Sequence, residues 1–200
     1  MRTLVIDSAT EACSVALFAD GALIAGDWRK LGRGHAEQLV PMIAALPDKG
    51  RADRIAVALG PGSFTGVRVG LAAARALAFA WQAELVGYPT LALVAAMARA
   101  ERGVGAVSVA MTGGHDEWFV AEADGEAVSL PPDAAAAQAC HPLVAGSQAE
   151  ALVARRGWGE ALQLWPDARA FTSLPPELCT AAVHPRYGRA PDARLPGAAA

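Results

Sequence analysis

The stretch GPGSFTGVRVG, residues 60–70, joins an apolar run to an alanine-rich one. Its glycines first suggest a phosphate-binding loop, but the spacing fits neither common pattern. Five residues rather than four separate Gly60 from Gly66, no Lys-Ser/Thr pair follows, and Gly66 comes one residue too late for G-x-G-x-x-G. The stretch instead predicts a tight turn from a buried strand into a helix, which Ser63 or Thr65 caps.

The helix that follows, from about Gly66 to Ala80, has almost no polar face, because Arg68 and Arg75 are its only charged residues. A helix that is apolar nearly all round is buried on more than one side. Its small residues would also let another helix approach closely. Since the sheet of a small α/β domain covers one face only, a second body must cover the rest. That body is either a second domain of this chain or a protein partner.

The patterns around this helix predict an α/β fold with a mixed sheet, in the order three strands, helix, strand, helix, strand, helix. Asp20-Gly21 predicts a two-residue hairpin turn between the second and third strands. Thr90 is expected to cap the third helix. The predicted strands are 3–7, 13–19, 22–28, 54–60 and 83–89, and the predicted helices are 35–46, 66–80 and 90–102.

Beyond Gly103 the pattern becomes less regular. Two apolar segments, GAVSVAM and EWFVAEA, predict strands, and residues 145–157 predict a helix. The segment PPDAAAAQACHP and the tail from Leu174 have little periodicity. We therefore expect an N-terminal domain over residues 1–102 and a smaller, irregular second domain with a C-terminal tail over residues 103–200.

The composition excludes several classes of function. With 54% hydrophobic and 18% charged residues in a chain of 200, a full core is expected. The net charge of −3 gives no general attraction to nucleic acid. The three cysteines form no C-x-x-C pair, which favours a reduced, cytoplasmic location. Charged residues interrupt the apolar stretches, so no membrane segment is predicted.

A few polar residues in the first half could bind a phosphate. Asp7 ends the first strand and precedes Ser8, Thr10 and Ser14, which are the residue types that hold a metal-bridged phosphate in the actin and sugar-kinase architecture. Asp7 and Thr10 are therefore the candidates for nucleotide binding. A single aspartate at the end of a strand nevertheless favours a purely structural role.

The histidines predict neither a metal site nor a catalytic one. His35 is the only histidine among the first hundred residues and has no partner at i+4, so a metal pair cannot form on its helix. His115, Asp116 and Glu117 stand together, but a solvated turn explains them better. We therefore expect no catalytic residue and no stoichiometric metal in the isolated chain.

Three motifs resemble the TsaB (YeaZ) family, the tRNA threonylcarbamoyladenosine biosynthesis proteins. They are DSATEACSVAL at residues 7–17, HAEQLVPM at residues 35–42 and GPGSFTGVRVG at residues 60–70. The closing segment HPRYGRAPDARLPG, residues 184–197, is similar to the Pro-x-Tyr segment of the family. The resemblance implies an actin-like ATPase (ASKHA, ribonuclease H-like) fold with two lobes, of which the second is reduced.

The paralogous enzyme TsaD shares this fold and transfers a threonylcarbamoyl group to an adenosine of tRNA. TsaD-type proteins bind metal through a His-x-x-x-His pair, whereas His35 is followed here by Glu37, Gln38 and Leu39. The resemblance thus implies a noncatalytic scaffold that pairs with a TsaD-like transferase, with a TsaE-like ATPase joining them. It implies tRNA contact only through that complex, no cofactor bound stably by this chain alone, and ATP or ADP within the assembly.

The resemblance places the partner surface on the helices around His35–Leu46 and Gly66–Ala80. The predicted interface residues are Leu39, Val40, Ile43, Gly66, Gly70, Ala73, Ala74 and Leu77. Whether the free chain is a monomer or a homodimer through this surface stays open. The rival interpretation is an enzyme, either an actin-like small-molecule kinase or a glycopeptidase-like hydrolase.

Overall fold

The computed structural model describes residues 1–122 and 125–188, which form two five-stranded mixed sheets with helices around and between them. The strands of the first sheet are β1 (Arg2–Asp7), β2 (Ala12–Ala19), β3 (Ala22–Lys30), β4 (Arg54–Ala58) and β5 (Glu84–Tyr88). The helices that accompany it are α1 (His35–Ala45), α2 (Phe64–Trp81) and α3 (Thr90–Arg102). The predicted order of elements over the first hundred residues is confirmed.

The first sheet has the strand order β3-β2-β1-β4-β5. The strands β1, β2 and β3 form an antiparallel meander, whereas β4 and β5 run parallel to β1. The turn at Asp20-Gly21 has φ values of 48° and 81°, so both central residues adopt the left-handed conformation that a tight hairpin requires. The predicted hairpin is therefore confirmed.

The helix starts show which cap predictions hold. Ser63 caps α2, because its hydroxyl accepts a hydrogen bond from the Gly66 N–H at 3.3 Å. The helix consequently begins at Phe64, two residues earlier than predicted. The prediction that Thr90 caps α3 is wrong: Pro89 holds the cap position, and the Thr90 hydroxyl instead accepts from the Gly60 N–H at 3.1 Å.

The second sheet repeats the topology of the first. It comprises β6 (Ser108–Thr112), β7 (Trp118–Glu122), β8 (Val128–Leu130), β9 (Leu143–Ala145) and β10 (Glu160–Leu162). Its order β8-β7-β6-β9-β10 again has an antiparallel meander followed by two strands parallel to the first. Two copies of this unit are the actin-like, ribonuclease H-like arrangement, so the expected fold class is confirmed.

The helices of the second unit are shorter than those of the first. They are α4 (Pro132–Gln138) and α5 (Ala149–Arg156). The expectation that the α4 segment is irregular was wrong, because Pro132 stands at the first helical position, where its missing N–H and fixed φ are favourable, and alanines follow. Helix α5 lies inside the range predicted for it.

The helix that is buried on nearly all sides is α3 rather than α2. Residues such as Leu93 on α3 pack into the core of the first sheet, whereas Leu91 and Val94 pack into the core of the second. The α2 helix packs on β1, β4, β5 and α1, and its outer face, including Ala72, stays exposed. The second sheet therefore covers α3, and the apolar outer face of α2 is left at the surface.

The chain returns to the first sheet near its C-terminal end. Leu174 and Val183 belong to the core of the first sheet, and Thr180 forms a bridge with Gly87 beside β5. Residues 189–200, the end of the predicted tail, lie outside the described residues, and the boundary after residue 102 stays a prediction. None of the helices within the described ranges combines the length and apolar character needed to cross a bilayer.

Candidate functional site

The end of β1 holds the carboxylate that the sequence singled out. Asp7 is completely buried, and its Oδ1 accepts a hydrogen bond from the Ala9 N–H at 3.0 Å. Its Oδ2 lies 3.2 Å from the hydroxyl of Tyr88, which also lies 3.2 Å from the Ile6 carbonyl oxygen. Burial raises the pKa of Asp7 to about 7, and the hydrogen bonds from Ala9 and Tyr88 only partly oppose that shift.

The other polar residues of this segment are buried and hydrogen-bonded within the chain. The Ser8 hydroxyl donates to the Gly66 carbonyl at 2.8 Å, which ties the end of β1 to the start of α2. Thr10 Oγ1 accepts from the Ala12 N–H at 3.2 Å. Ser14 Oγ accepts from the Ala168 N–H at 2.9 Å. The candidate phosphate ligands are thus occupied by local and tertiary hydrogen bonds.

A short 3-10 helix, Ala168–Ser173, packs against β1, β2 and β3 of the first sheet. Ala168 is fully buried, and the Phe171 ring packs at 5.4 Å from the Tyr88 ring and 6.4 Å from the Phe18 ring. The segment thus packs on the sheet from which Asp7 projects, and Ala168 bonds to Ser14, the cross-strand partner of Asp7. Sequence reasoning overlooked Tyr88, although a tyrosine at the end of a buried strand is a recognisable signal, because its hydroxyl needs a buried partner.

A groove between α1 and α2 forms the second candidate site, with a volume of about 440 Å³. Its walls are almost entirely apolar. The apolar residues that line it are Val40, Ile43, Ala44, Ala73, Ala76, Leu77 and Trp81, and three charged residues, Asp48, Lys49 and Arg51, stand at its edge. Sequence reasoning did not include Trp81 or the charged edge. Trp81 could have been predicted to line the groove, because it is an aromatic residue at the end of an apolar helix.

The structure divides the eight predicted interface residues into two sets. Five are buried in the chain's own core: Leu39, Ile43, Gly66, Gly70 and Ala74. A Cβ added at Gly70 would stand 2.5 Å from Ser8 Oγ, so this position faces the first sheet rather than a second protein. In this structure these five positions hold α1 and α2 in place. Val40, Ala73 and Leu77 reach the surface, and the interface itself stays a prediction.

The histidines of the first and middle segments are not brought together. His35 lies at the start of α1 with 7% exposure, and its Nε2 has no hydrogen-bond partner among the described residues. His115 and Asp116 lie in the connection between β6 and β7 and are exposed. Glu117, in the same connection, accepts a hydrogen bond from Ser129 Oγ at 2.6 Å. This segment is a solvated turn, as predicted.

A family model described as TsaD, tRNA N6-adenosine threonylcarbamoyltransferase, matches residues 29–146. The tRNA threonylcarbamoyladenosine biosynthesis protein TsaB of Escherichia coli K12 is 33% identical over 183 residues, covering 84% of this chain and 74% of that protein. The protein of the same description from Haemophilus influenzae is 36% identical over 124 residues, covering 56% of this chain and 50% of that protein.

Two solved structures are similar to this chain in sequence and in fold. A crystal structure from Pseudomonas aeruginosa, described as an uncharacterized protein with similarity to peptidase YeaZ, has 31% identity and a TM-score of 0.73. A second structure, YeaZ from Pseudomonas aeruginosa, has 31% identity and a TM-score of 0.71. Each alignment covers 86% of this chain and 89% of that one. The likeness therefore extends over both sheets, including the second half, where the sequence pattern was weak.

Proposed function

Because this chain belongs to the TsaB (YeaZ) family of tRNA threonylcarbamoyladenosine biosynthesis proteins, we propose that it is a noncatalytic accessory subunit of that pathway. In this proposal it pairs with a TsaD-type transferase, which carries out the transfer to tRNA, and a TsaE-type ATPase joins the pair. Nucleotide is bound within the assembly rather than by this chain alone. The proposal rests on family membership and on two features of the structure.

The observation that carries the proposal is the groove between α1 and α2. Apolar side chains such as Val40, which is 60% exposed, and Leu77 line a concave surface that the chain's own second sheet does not cover. Apolar grooves of this kind commonly accept a helix of another protein. Phe79 lies farther along α2 with 90% exposure, which enlarges the apolar face. Association with a partner would remove this surface from water.

The end of β1 supports the noncatalytic part of the proposal. An actin-like kinase needs an ionised carboxylate that can reach a metal-bound phosphate, whereas Asp7 is fully buried. Its raised pKa also favours the protonated, uncharged form of the carboxyl group. Both features disfavour the kinase as an activity of the isolated chain.

We expect Val40→Asp and Leu77→Asp each to weaken pairing with the TsaD-type transferase by about 10- to 100-fold. Either variant would place a charged carboxylate in an apolar surface that becomes desolvated on association. The affinity is measured by titrating the purified transferase with each variant in solution. Circular dichroism first establishes that each variant is folded.

The matched control is Val104→Asp, because Val104 is an exposed valine in the connection between α3 and β6, away from the groove. This variant should pair with unchanged affinity. If folded Val40→Asp and Leu77→Asp also pair as tightly as the parent chain, the groove is not the docking surface and the proposal loses its structural basis.

The chain alone is expected to bind tRNA weakly, with a Kd above about 1 μM at physiological salt. Its net charge is −3, so the phosphate backbone meets no general excess of cations. Filter binding with the purified chain, alone and with the TsaD-type transferase present, measures the difference. Tight binding by the isolated chain would mean that this protein supplies the main tRNA contacts itself.

A further inference from the structure

A cluster of three side chains in the second unit combines the donor types of a transition-metal site. Glu122 is the last residue of β7, and Cys140 and His141 are adjacent in the connection between α4 and β9. One donor atom from each lies within 4.8 Å of the others. We propose that these three residues bind a divalent cation of the zinc class, with one coordination position open to water.

The distances fit a tetrahedral ion. Cys140 Sγ lies 3.2 Å and His141 Nε2 lies 3.4 Å from Glu122 Oε2. Zinc bonds of about 2.3 Å to sulfur and about 2.0–2.2 Å to nitrogen and oxygen, at tetrahedral angles, separate neighbouring ligand atoms by about 3.3–3.6 Å. These two separations therefore fit a tetrahedral ion, and the donor atoms of Cys140 and His141 lie within 4.8 Å of each other, close enough for a small adjustment to bring them onto the same ion.

The surrounding hydrogen bonds hold the ligands in this arrangement. The Ser108 hydroxyl, which is fully buried, donates to Glu122 Oε2 at 2.8 Å and accepts from the His141 N–H at 3.2 Å. Arg156 donates to the carbonyl groups of Ala139 at 3.0 Å and Pro142 at 2.9 Å, the residues on either side of the two loop ligands. Partners of this kind orient metal ligands before the ion arrives.

One oxygen of the Glu122 carboxylate is left without a hydrogen bond in the part of the chain that the structure describes. Glu122 Oε1 is buried and has no hydrogen-bond partner among the described residues. A cation would satisfy this oxygen or its neighbour, which offsets the cost of burying a charged group. A thiolate and a carboxylate would balance the two charges of the ion. The thiolate and imidazole donors select zinc-like ions over magnesium or calcium, which prefer oxygen ligands.

This proposed site departs from the sequence-based expectation of no stoichiometric metal, which rested on the lone His35 and on the absence of a C-x-x-C pair. Nothing in the spacing indicated it, because Glu122 is separated by 18 residues from Cys140 along the chain and the pair Cys-His is not a known zinc spacing. The proposal is independent of the pairing with a transferase, since it concerns the second unit alone.

The test uses the full-length, untagged chain after treatment with a chelator. Titration with Co²⁺ should give one bound ion per chain and a thiolate-to-cobalt charge-transfer band, and Zn²⁺ should then displace the cobalt. The affinity for Co²⁺ should fall by at least about 10- to 100-fold in each of three variants, Cys140→Ser, His141→Ala and Glu122→Gln. That range is the usual cost of losing a residue that only orients a metal ligand, whereas these three residues would bind the ion directly. Cys140→Ser should also abolish the charge-transfer band.

Cys179→Ser and His184→Ala are the matched controls, because these residues lie outside the cluster and near the surface. Both should bind Co²⁺ as the parent chain does. Binding without a charge-transfer band, a stoichiometry far from one, or full binding by folded Cys140→Ser would each overturn the site.

Discussion

Replacing Gly66 by alanine is expected to lower the free energy of unfolding by about 3 kcal/mol or more. A Cβ at this position would stand 2.1 Å from the carbonyl oxygen of Ser8, and that neighbour is backbone. The Ser8 hydroxyl already donates to the Gly66 carbonyl at 2.8 Å, so the end of β1 and the start of α2 are held at this separation. The added methyl group would force the two elements apart.

The sign of this effect distinguishes packing from helix propensity. Alanine favours a helix over glycine by about 1 kcal/mol, so propensity alone would make Gly66→Ala stabilising. Urea unfolding followed by circular dichroism measures the change. The control is Gly105→Ala, where an added Cβ meets nothing within 4 Å. A Gly66→Ala variant as stable as Gly105→Ala would show that β1 and α2 are not in close contact.

Replacing Asp7 by asparagine is expected to stabilise the chain by up to about 4 kcal/mol at pH 8 and by little near pH 4. Burial raises the pKa of Asp7 to about 7 in the folded state, against an ordinary value near 4. Between these two values the folded chain holds a proton that the unfolded chain has released. The stability that Asp7 contributes is therefore largest below about pH 4 and is lost as the pH rises to about 7.

Asparagine can keep the hydrogen bonds of Asp7 without the charge. Its oxygen can accept from the Ala9 N–H, and its amide can donate to the Tyr88 hydroxyl, which is then free to donate to the Ile6 carbonyl. Urea unfolding of the parent chain and the variant at pH 5 and pH 8 measures the difference. The gain in stability should be larger at the higher pH.

Asp20→Asn is the matched control. A hydrogen bond with the N-terminal ammonium of Met1 lowers the pKa of Asp20, whereas burial raises the pKa of Asp7. Removing the Asp20 carboxylate therefore cannot stabilise the folded chain as the pH rises. If Asp7→Asn changes stability equally at pH 5 and pH 8, the carboxyl of Asp7 does not carry a proton in the folded state. The argument against a catalytic role for Asp7 would then rest on its burial alone.

The sequence by itself determined the features that depend on neighbouring residues. The hairpin at Asp20-Gly21 follows from the left-handed conformation that these residue types tolerate. The start of α2 follows from the Ser63 side chain, which bonds to an N–H three residues away. The order of elements over the first hundred residues follows from the periodic spacing of hydrophobic residues within each segment. The motifs at residues 7–17, 35–42 and 60–70 identified the family.

Only the tertiary structure decided what each face of an element contacts. The apolar pattern of α2 predicted burial on several sides, but the second sheet packs on α3, so part of α2 remains exposed. The residue types around Asp7 suggested a phosphate ligand, whereas in the fold Asp7 is fully buried and Ala168, far along the chain, bonds to its cross-strand partner Ser14. Burial, pKa shifts and ligand clusters depend on segments that are distant in sequence, and no local pattern encodes which of those segments meet.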